Sequence, residues 1–188
     1  MITRALRLIV FRLIIVAALG LAALAADDAD LRVVRLSLAQ GDVQIDRNTG
    51  IGWEQAINNM PLPSGTRIYA AENSNAEIEL EDGSSIRIAG PGEVALLQLS
   101  QSVDGTPVDR VEIDSGRVYI NAVLAARADF RIRDRSGSSF IVTQPSRLRL
   151  QVDEQAASLA VMEGEVEALD ASGYSLIRGG ESYNYTPE

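Results

Sequence analysis

Three copies of one spacing constrain the fold of this chain more than any other feature: Leu36-x-Leu38-x-x-Gly41-x-Val43-x-Ile45, Val111-x-Ile113-x-x-Gly116-x-Val118-x-Ile120 and Leu159-x-Val161-x-x-Gly164-x-Val166-x-Ala168. Apolar residues alternate on both sides of each Gly, and the alternation slips by one position at the Gly. Period-two alternation is the mark of a strand, so each copy reads as strand, turn, strand. A two-residue hairpin turn accounts for the slip. With Gln40-Gly41, Ser115-Gly116 and Glu163-Gly164 as the turns, Leu38 faces Val43, Ile113 faces Val118 and Val161 faces Val166 on one buried side, and Gly supplies the positive φ. A β-arc that carries the chain between two sheets fits the same spacing.

The same pattern continues from Leu31 onward, with turn residues every eight to twelve positions. No helical period is evident there except a short candidate at Ala122 to Ala128. Ala76-Glu77-Ile78-Glu79-Leu80-Glu81 alternates strictly, and Asp82-Gly83-Ser84 turns it back so that Leu80 pairs with Ile86 and Ile78 with Ile88. Pro61 and Pro63 exclude a central strand around them. Leu38 to Ile45 followed by Leu62-Pro63-Ser64-Gly65 is echoed by Val161 to Ala168 followed by Leu176-Ile177-Arg178-Gly179. Two such units would stack as coils of a short β-solenoid or face each other in a β-sandwich. The expectation is a hairpin-built all-β domain after an N-terminal signal helix.

Arg4, Arg7 and Arg12, the uncharged run Leu13 to Ala26 and the small-x-small site Ala23-Leu24-Ala25 read as an export signal cleaved after Ala25. The 14 uncharged residues of that run fall short of the roughly 20 a spanning helix needs. The division is therefore a signal peptide at 1–25 and an all-β domain at 31–185, in parts 31–125 and 126–185. Cleavage takes the net charge from -9 to -12, with 14 Arg against 26 carboxylates. That balance excludes non-specific nucleic-acid binding.

Cys, His and Lys are all absent from the 188 residues. Nucleophile–His pairs, Schiff-base or phosphate-loop lysines and the usual zinc and haem sites are thereby excluded. No catalytic residue, cofactor or metal is expected. Carboxylates two apart on one strand lie about 6.5 to 7 Å from each other, within the glycosidase range. They sit on a face patterned for solvent, however, where neither would have the raised pKa such chemistry needs. Asp104 and Asp114 fit turns better than a calcium loop.

The chain resembles the FecR-like periplasmic domain over Leu31 to Tyr185. The resemblance rests on Gly41-Asp42-Val43, Trp53-x-x-Ala56, Asn59-x-Pro61-Leu62-x-x-Gly65-x-x-Ile68, Ala76-Glu77-Ile78-x-Leu80-x-x-Gly83-Ser84-Ser85-Ile86-Arg87-Ile88, Phe140-x-Val142-Thr143-x-Pro145, Val161-x-Glu163-Gly164-x-Val166 and Gly180-Glu181, in that order. It implies an all-β module, in the periplasm or at the cell surface, that binds envelope proteins or ligands and is not an enzyme. Only 12 residues precede the apolar run, so the family's cytoplasmic sigma-contacting region is not expected here. Ser146 to Val152 stands where the family often has a Gly-Thr pair.

Two features invite a binding role. Trp53 could stack on a sugar, although its place beside Ala56 and the Pro-Leu turn suits a core or rim-packing residue better. Positions 127 to 149 carry six Arg against Asp129 and Asp134. Arg131, Arg133 and Arg135 share one strand face, and Arg147 and Arg149 another. Together they form a candidate face for an anionic polysaccharide or lipid phosphate, since guanidinium forks match such groups. The competing reading pairs these Arg with cross-strand acids such as Glu77, Glu79, Glu81, Glu163, Glu165 and Glu167. The partner is expected to be an envelope protein, or alternatively a polymer.

Overall fold

The computed structural model describes residues 32–124, 128–170 and 173–186. The signal helix expected at 1–25 lies outside the described residues, as do residues 125–127 of the helical candidate. Ala122 itself ends a strand.

The described chain opens with β1 (Val34–Gln40), β2 (Val43–Asp46), β3 (Glu54–Gln55), β4 (Met60–Leu62), β5 (Arg67–Ala70) and β6 (Asn75–Glu79). Two long strands follow, β7 (Ser85–Gln101) and β8 (Pro107–Ala122). The rest is β9 (Asp129–Asp134), β10 (Ser139–Val142), β11 (Ser146–Val152), β12 (Ala157–Glu163), β13 (Glu165–Asp170), β14 (Gly173–Arg178) and β15 (Ser182–Tyr185). All join one open mixed sheet, the all-β fold that the alternation predicts. Pro61 sits in β4, which among the described residues pairs on one side only, with β1, as a strand lacking an amide donor should.

Pairing changes partway along β7 and β8. Residues 85–89 pair with β6 and 92–95 with β5; residues 116–122 pair with β11 and 108–113 with β9. A first ladder therefore runs β4-β1-β6-β7-β8-β11-β12-β15, and a second runs β3-β2-β5-β7-β8-β9-β10-β13-β14. Their inward residues belong to one hydrophobic cluster, with Leu36, Ile78, Ile86 and Leu150 from the first and Ile45, Ile68, Phe130 and Phe140 from the second. Burying each such side chain contributes about 1.5 to 3 kcal/mol, which makes this cluster the main source of stability.

The two sides of the β7–β8 pair correspond strand for strand. β1, β2, β3 and β4 match β12, β13, β14 and β15; β5 and β6 match β10 and β11; the two halves of β7 match residues 116–122 and β9. Residues 107–115 are then an extra central strand of the second ladder. This explains why β8 and β9 run parallel while the other pairs are antiparallel.

The three signature glycines are crossings between ladders, not hairpin turns. β1 pairs with β4 and β6 whereas β2 pairs with β3 and β5, so Leu38 and Val43 are not cross-strand partners. Gly116 lies inside β8, and Gly164 separates β12 from β13, which again share no pairing. The arc reading holds, and its reason is steric. All three have φ between +83° and +89°, and a Cβ would strike Ser74 at Gly41, the Pro91 carbonyl at Gly116, and Ser146 with the Pro145 carbonyl at Gly164. At the outer crossings a buried serine accepts the next amide proton: Asp42 N to Ser74 Oγ at 2.9 Å and Glu165 N to Ser146 Oγ at 3.1 Å. The echo between the units holds through these crossings and then fails. Leu62 lies in β4 beside β1, whereas Leu176 lies in β14 beside β13.

The β6–β7 hairpin forms one residue earlier than expected. Asp82 Oδ1 accepts the Ser84 amide at 2.8 Å and Leu80 N reaches Ser84 O at 2.9 Å, so Ile78 faces Ile86 and Ala76 faces Ile88. The apolar face is unchanged.

Candidate functional site

Alternation along each strand turns charged side chains outward, and the pairing decides which of them meet. The candidate arginines are split by it. Arg131 and Arg133 lie on β9, on the outer face of the second ladder, and Arg135 is exposed just beyond that strand. Arg147 and Arg149 lie on β11, in the first ladder. The five do not form one face.

On the second ladder the arginines already hold carboxylates. Arg131 Nε meets Asp129 Oδ1 at 2.9 Å, Arg110 donates to the Asp129 carbonyl at 2.9 Å and pairs with its carboxylate, and Arg133 pairs with Glu112. Burial raises the Asp129 carboxyl, but the Arg110 and Arg131 forks more than offset it and hold it below the usual range. Leu97, Arg110, Arg131, Arg133 and Ser139 line a groove of about 260 Å³ there. Beside it, Arg67 pairs with Glu93. Burial pushes the Glu93 and Asp114 carboxyls up, opposed by the Arg67 charge.

The acidic strand face is likewise engaged. Glu79 takes Arg35 at 2.6 Å, Glu81 takes Arg32 at 2.6 Å, and Glu77 takes Arg87 together with the Ser37 hydroxyl at 3.2 Å. Asp104 accepts from Ser102 Oγ and from the Thr106 amide at 3.1 Å, and these bonds draw its carboxyl below the usual range as part of a turn. Among the described residues no group of three or more acids is arranged to hold a metal ion.

Trp53 is 42% exposed, with the Arg67 guanidinium 5.6 Å from its ring centre and the Tyr69 ring edge-on at 6.4 Å. It packs at the rim of the second ladder.

On the first ladder the picture differs. Arg147 pairs with Glu163, but Arg149 has no hydrogen-bond or ion-pair partner among the described residues, and its Nε is buried. The register places Arg149 opposite Tyr119 and Gln151 opposite Arg117 on β8. Sequence reasoning missed Arg117 and Tyr119, because nothing local says that residues thirty positions apart share a surface.

A second feature it missed is an apolar stripe at the edge of the second ladder. Leu169 on β13 and Tyr174 on β14 are cross-strand partners, 50% and 62% exposed. Half-buried Ile141 and Leu176 flank Glu167 in the neighbouring row. Among the described residues β14 pairs with β13 alone, which leaves its outer edge without a strand partner there.

The comparisons with known proteins agree with this architecture. Two crystal structures described as those of a "putative anti-sigma factor" from Parabacteroides distasonis ATCC 8503 match with TM-scores of 0.56 and 0.53 at 15% and 14% identity. Each match covers 64% of this chain and 55% of that one, so the chain spans about half the length of the solved structures it matches. No curated protein matches. The model of the family described as FecR protein matches residues 66–167, more than half of the chain. From β5 to β13, through both crossings of the long strands, this is the FecR fold, and the chain belongs to the FecR protein family.

Proposed function

We propose that the chain is an exported, non-catalytic module that acts by binding a protein partner in the cell envelope, in signal sensing or as a scaffold. The open edge of β14 with its apolar stripe carries this reading. An unpaired edge bearing exposed apolar side chains is an aggregation hazard that soluble proteins avoid unless a partner covers it. A partner strand added to β14 would gain main-chain hydrogen bonds, and Leu169 and Tyr174 would give it side-chain contacts. The N-terminal Arg residues and apolar run support export to the periplasm or cell surface. The anti-sigma description belongs to the Parabacteroides protein; for this chain it supports a signalling context.

The test is crosslinking capture of the mature chain, from Ala26, in an envelope extract at low and high salt, beside a Leu169→Asp, Tyr174→Ser variant. A defined protein retained by the parent chain and lost from the variant is the expected result. Capture of no stoichiometric protein, with salt-sensitive retention on polysaccharide or lipid instead, would overturn the reading in favour of the polymer-binding alternative.

A further inference from the structure

The middle of the first ladder's outer face is basic in a chain that is otherwise strongly acidic. β11 pairs with β8 so that Arg147 faces Asn121, Arg149 faces Tyr119 and Gln151 faces Arg117; on the other side of β8, Arg87 faces Tyr119 and Ser85 faces Asn121. Their neighbours along the strands, Ile86, Ile88, Val118, Ile120, Leu148 and Leu150, are buried, so these polar side chains all point outward. Strands about 4.8 Å apart with outward residues about 6.5 to 7 Å apart place Arg87, Arg117 and Arg149 beside Tyr119 on this face, with Arg147 one outward position further along β11, and the Arg87 and Arg147 guanidiniums turn away to Glu77 and Glu163.

Two of those charges are compensated and two are not. Glu77 holds Arg87 and Glu163 holds Arg147. Among the described residues Arg117 donates only to the Gln151 amide oxygen, at 3.3 Å, while Asp153 takes the Gln151 amide nitrogen at 3.0 Å. Arg149, half-buried, donates to nothing among the described residues. Like charges on adjacent strands repel, and a buried donor without an acceptor is costly. An anion bound at the exposed ends of these side chains offsets the charge repulsion.

We infer that Arg117 and Arg149, with the Tyr119 hydroxyl between them, form a binding site for a phosphate group. Two planar forks and a phenol supply donors for the oxygens of a phosphate group, whose geometry guanidinium forks match bidentately, and the two positive charges offset its negative charge. The partly compensated Arg87 and Arg147 add long-range attraction. This site is on the first ladder, apart from the β14 stripe of the second, so its failure and the failure of the protein-partner reading are separate results.

The test is a titration of the purified protein with inorganic phosphate, followed by amide chemical shifts, together with flotation on phosphatidylcholine vesicles with and without phosphatidylglycerol. Phosphate should shift the amides of β8 and β11. Arg117→Gln, at an exposed position, should weaken phosphate binding about tenfold, the worth of one charged hydrogen bond. Arg117→Gln with Arg149→Gln should abolish it, and Arg131→Gln with Arg133→Gln should leave it unchanged. Flotation that needs phosphatidylglycerol and is lost in the Arg117, Arg149 variant assigns the phosphate to a lipid headgroup; phosphate binding without flotation assigns it to a soluble phosphate ester. Absence of binding to either probe would overturn the inference, as would equal loss in the Arg131, Arg133 variant. Thermal melts followed by circular dichroism confirm that the variants are folded.

Discussion

Arg32 Nη1 lies 2.8 Å from Asp109 Oδ1, and its Nη2 lies 2.6 Å from Glu81 Oε2. One side chain thereby ties the β6–β7 loop to the start of β8. Asp109 is buried, and burial pushes its carboxyl up to about 6 against the pull of Arg32. In the unfolded chain the value is about 3.9. Between the two, the folded protein keeps a proton that the unfolded chain has released. This contribution to stability is fully present below the unfolded value and is lost as pH rises through about 6, by at most about 3 kcal/mol. Asp109→Asn should remove that slope. Urea unfolding of both proteins at about pH 4 and about pH 7 measures it. An unchanged gap between them at the two pH values would mean that burial does not raise the Asp109 carboxyl above its unfolded value.

Gly164→Ala and Gly116→Ala should be far worse than Gly105→Ala. All three positions have positive φ, a cost of about 1 to 2 kcal/mol for an alanine. Gly105 faces open space, whereas a Cβ at Gly116 or Gly164 runs into main-chain oxygens. Equal losses in the three urea midpoints would show that the crossings relax and are not tightly packed.

Ser146→Ala should cost about 1 to 3 kcal/mol, because it strands the Glu165 amide at a buried crossing, and Ser74→Ala should cost the same at Asp42. The matched pair tests the correspondence between the units. A cost at one crossing and none at the other would show that the likeness is topological only.

Arg133→Gln should change stability by less than about 1 kcal/mol, since its ion pair with Glu112 is half exposed. Thermal melts at low and high salt check this. A loss comparable to a core truncation would mean that the second ladder depends on its outer charges.

Much of the fold was legible because alternation is local. The strands, the apolar faces of Ile78 and Ile86, the edge position of β4 and the family resemblance all follow from residues read within a few positions of one another. The slip at Gly41, Gly116 and Gly164 was legible too, but its meaning was not. A hairpin and an arc require the same spacing and the same positive φ, and they differ only in which distant strand supplies the hydrogen bonds.

The arginines show the same division. Their outward orientation followed from period two. Whether each met a carboxylate depended on register across strands: Arg133 with Glu112, Arg147 with Glu163, and Arg149 with Tyr119 in place of an acid. By itself the sequence determined an all-β chain without His, Cys or Lys chemistry, patterned into one buried face and one charged face, because those properties reside in residue type and short-range period. The tertiary structure alone decided that the sheet crosses over at glycines, that β8 serves both ladders and that Arg117 and Arg149 meet no carboxylate among the described residues, because pairing between distant strands is set by packing of the whole core.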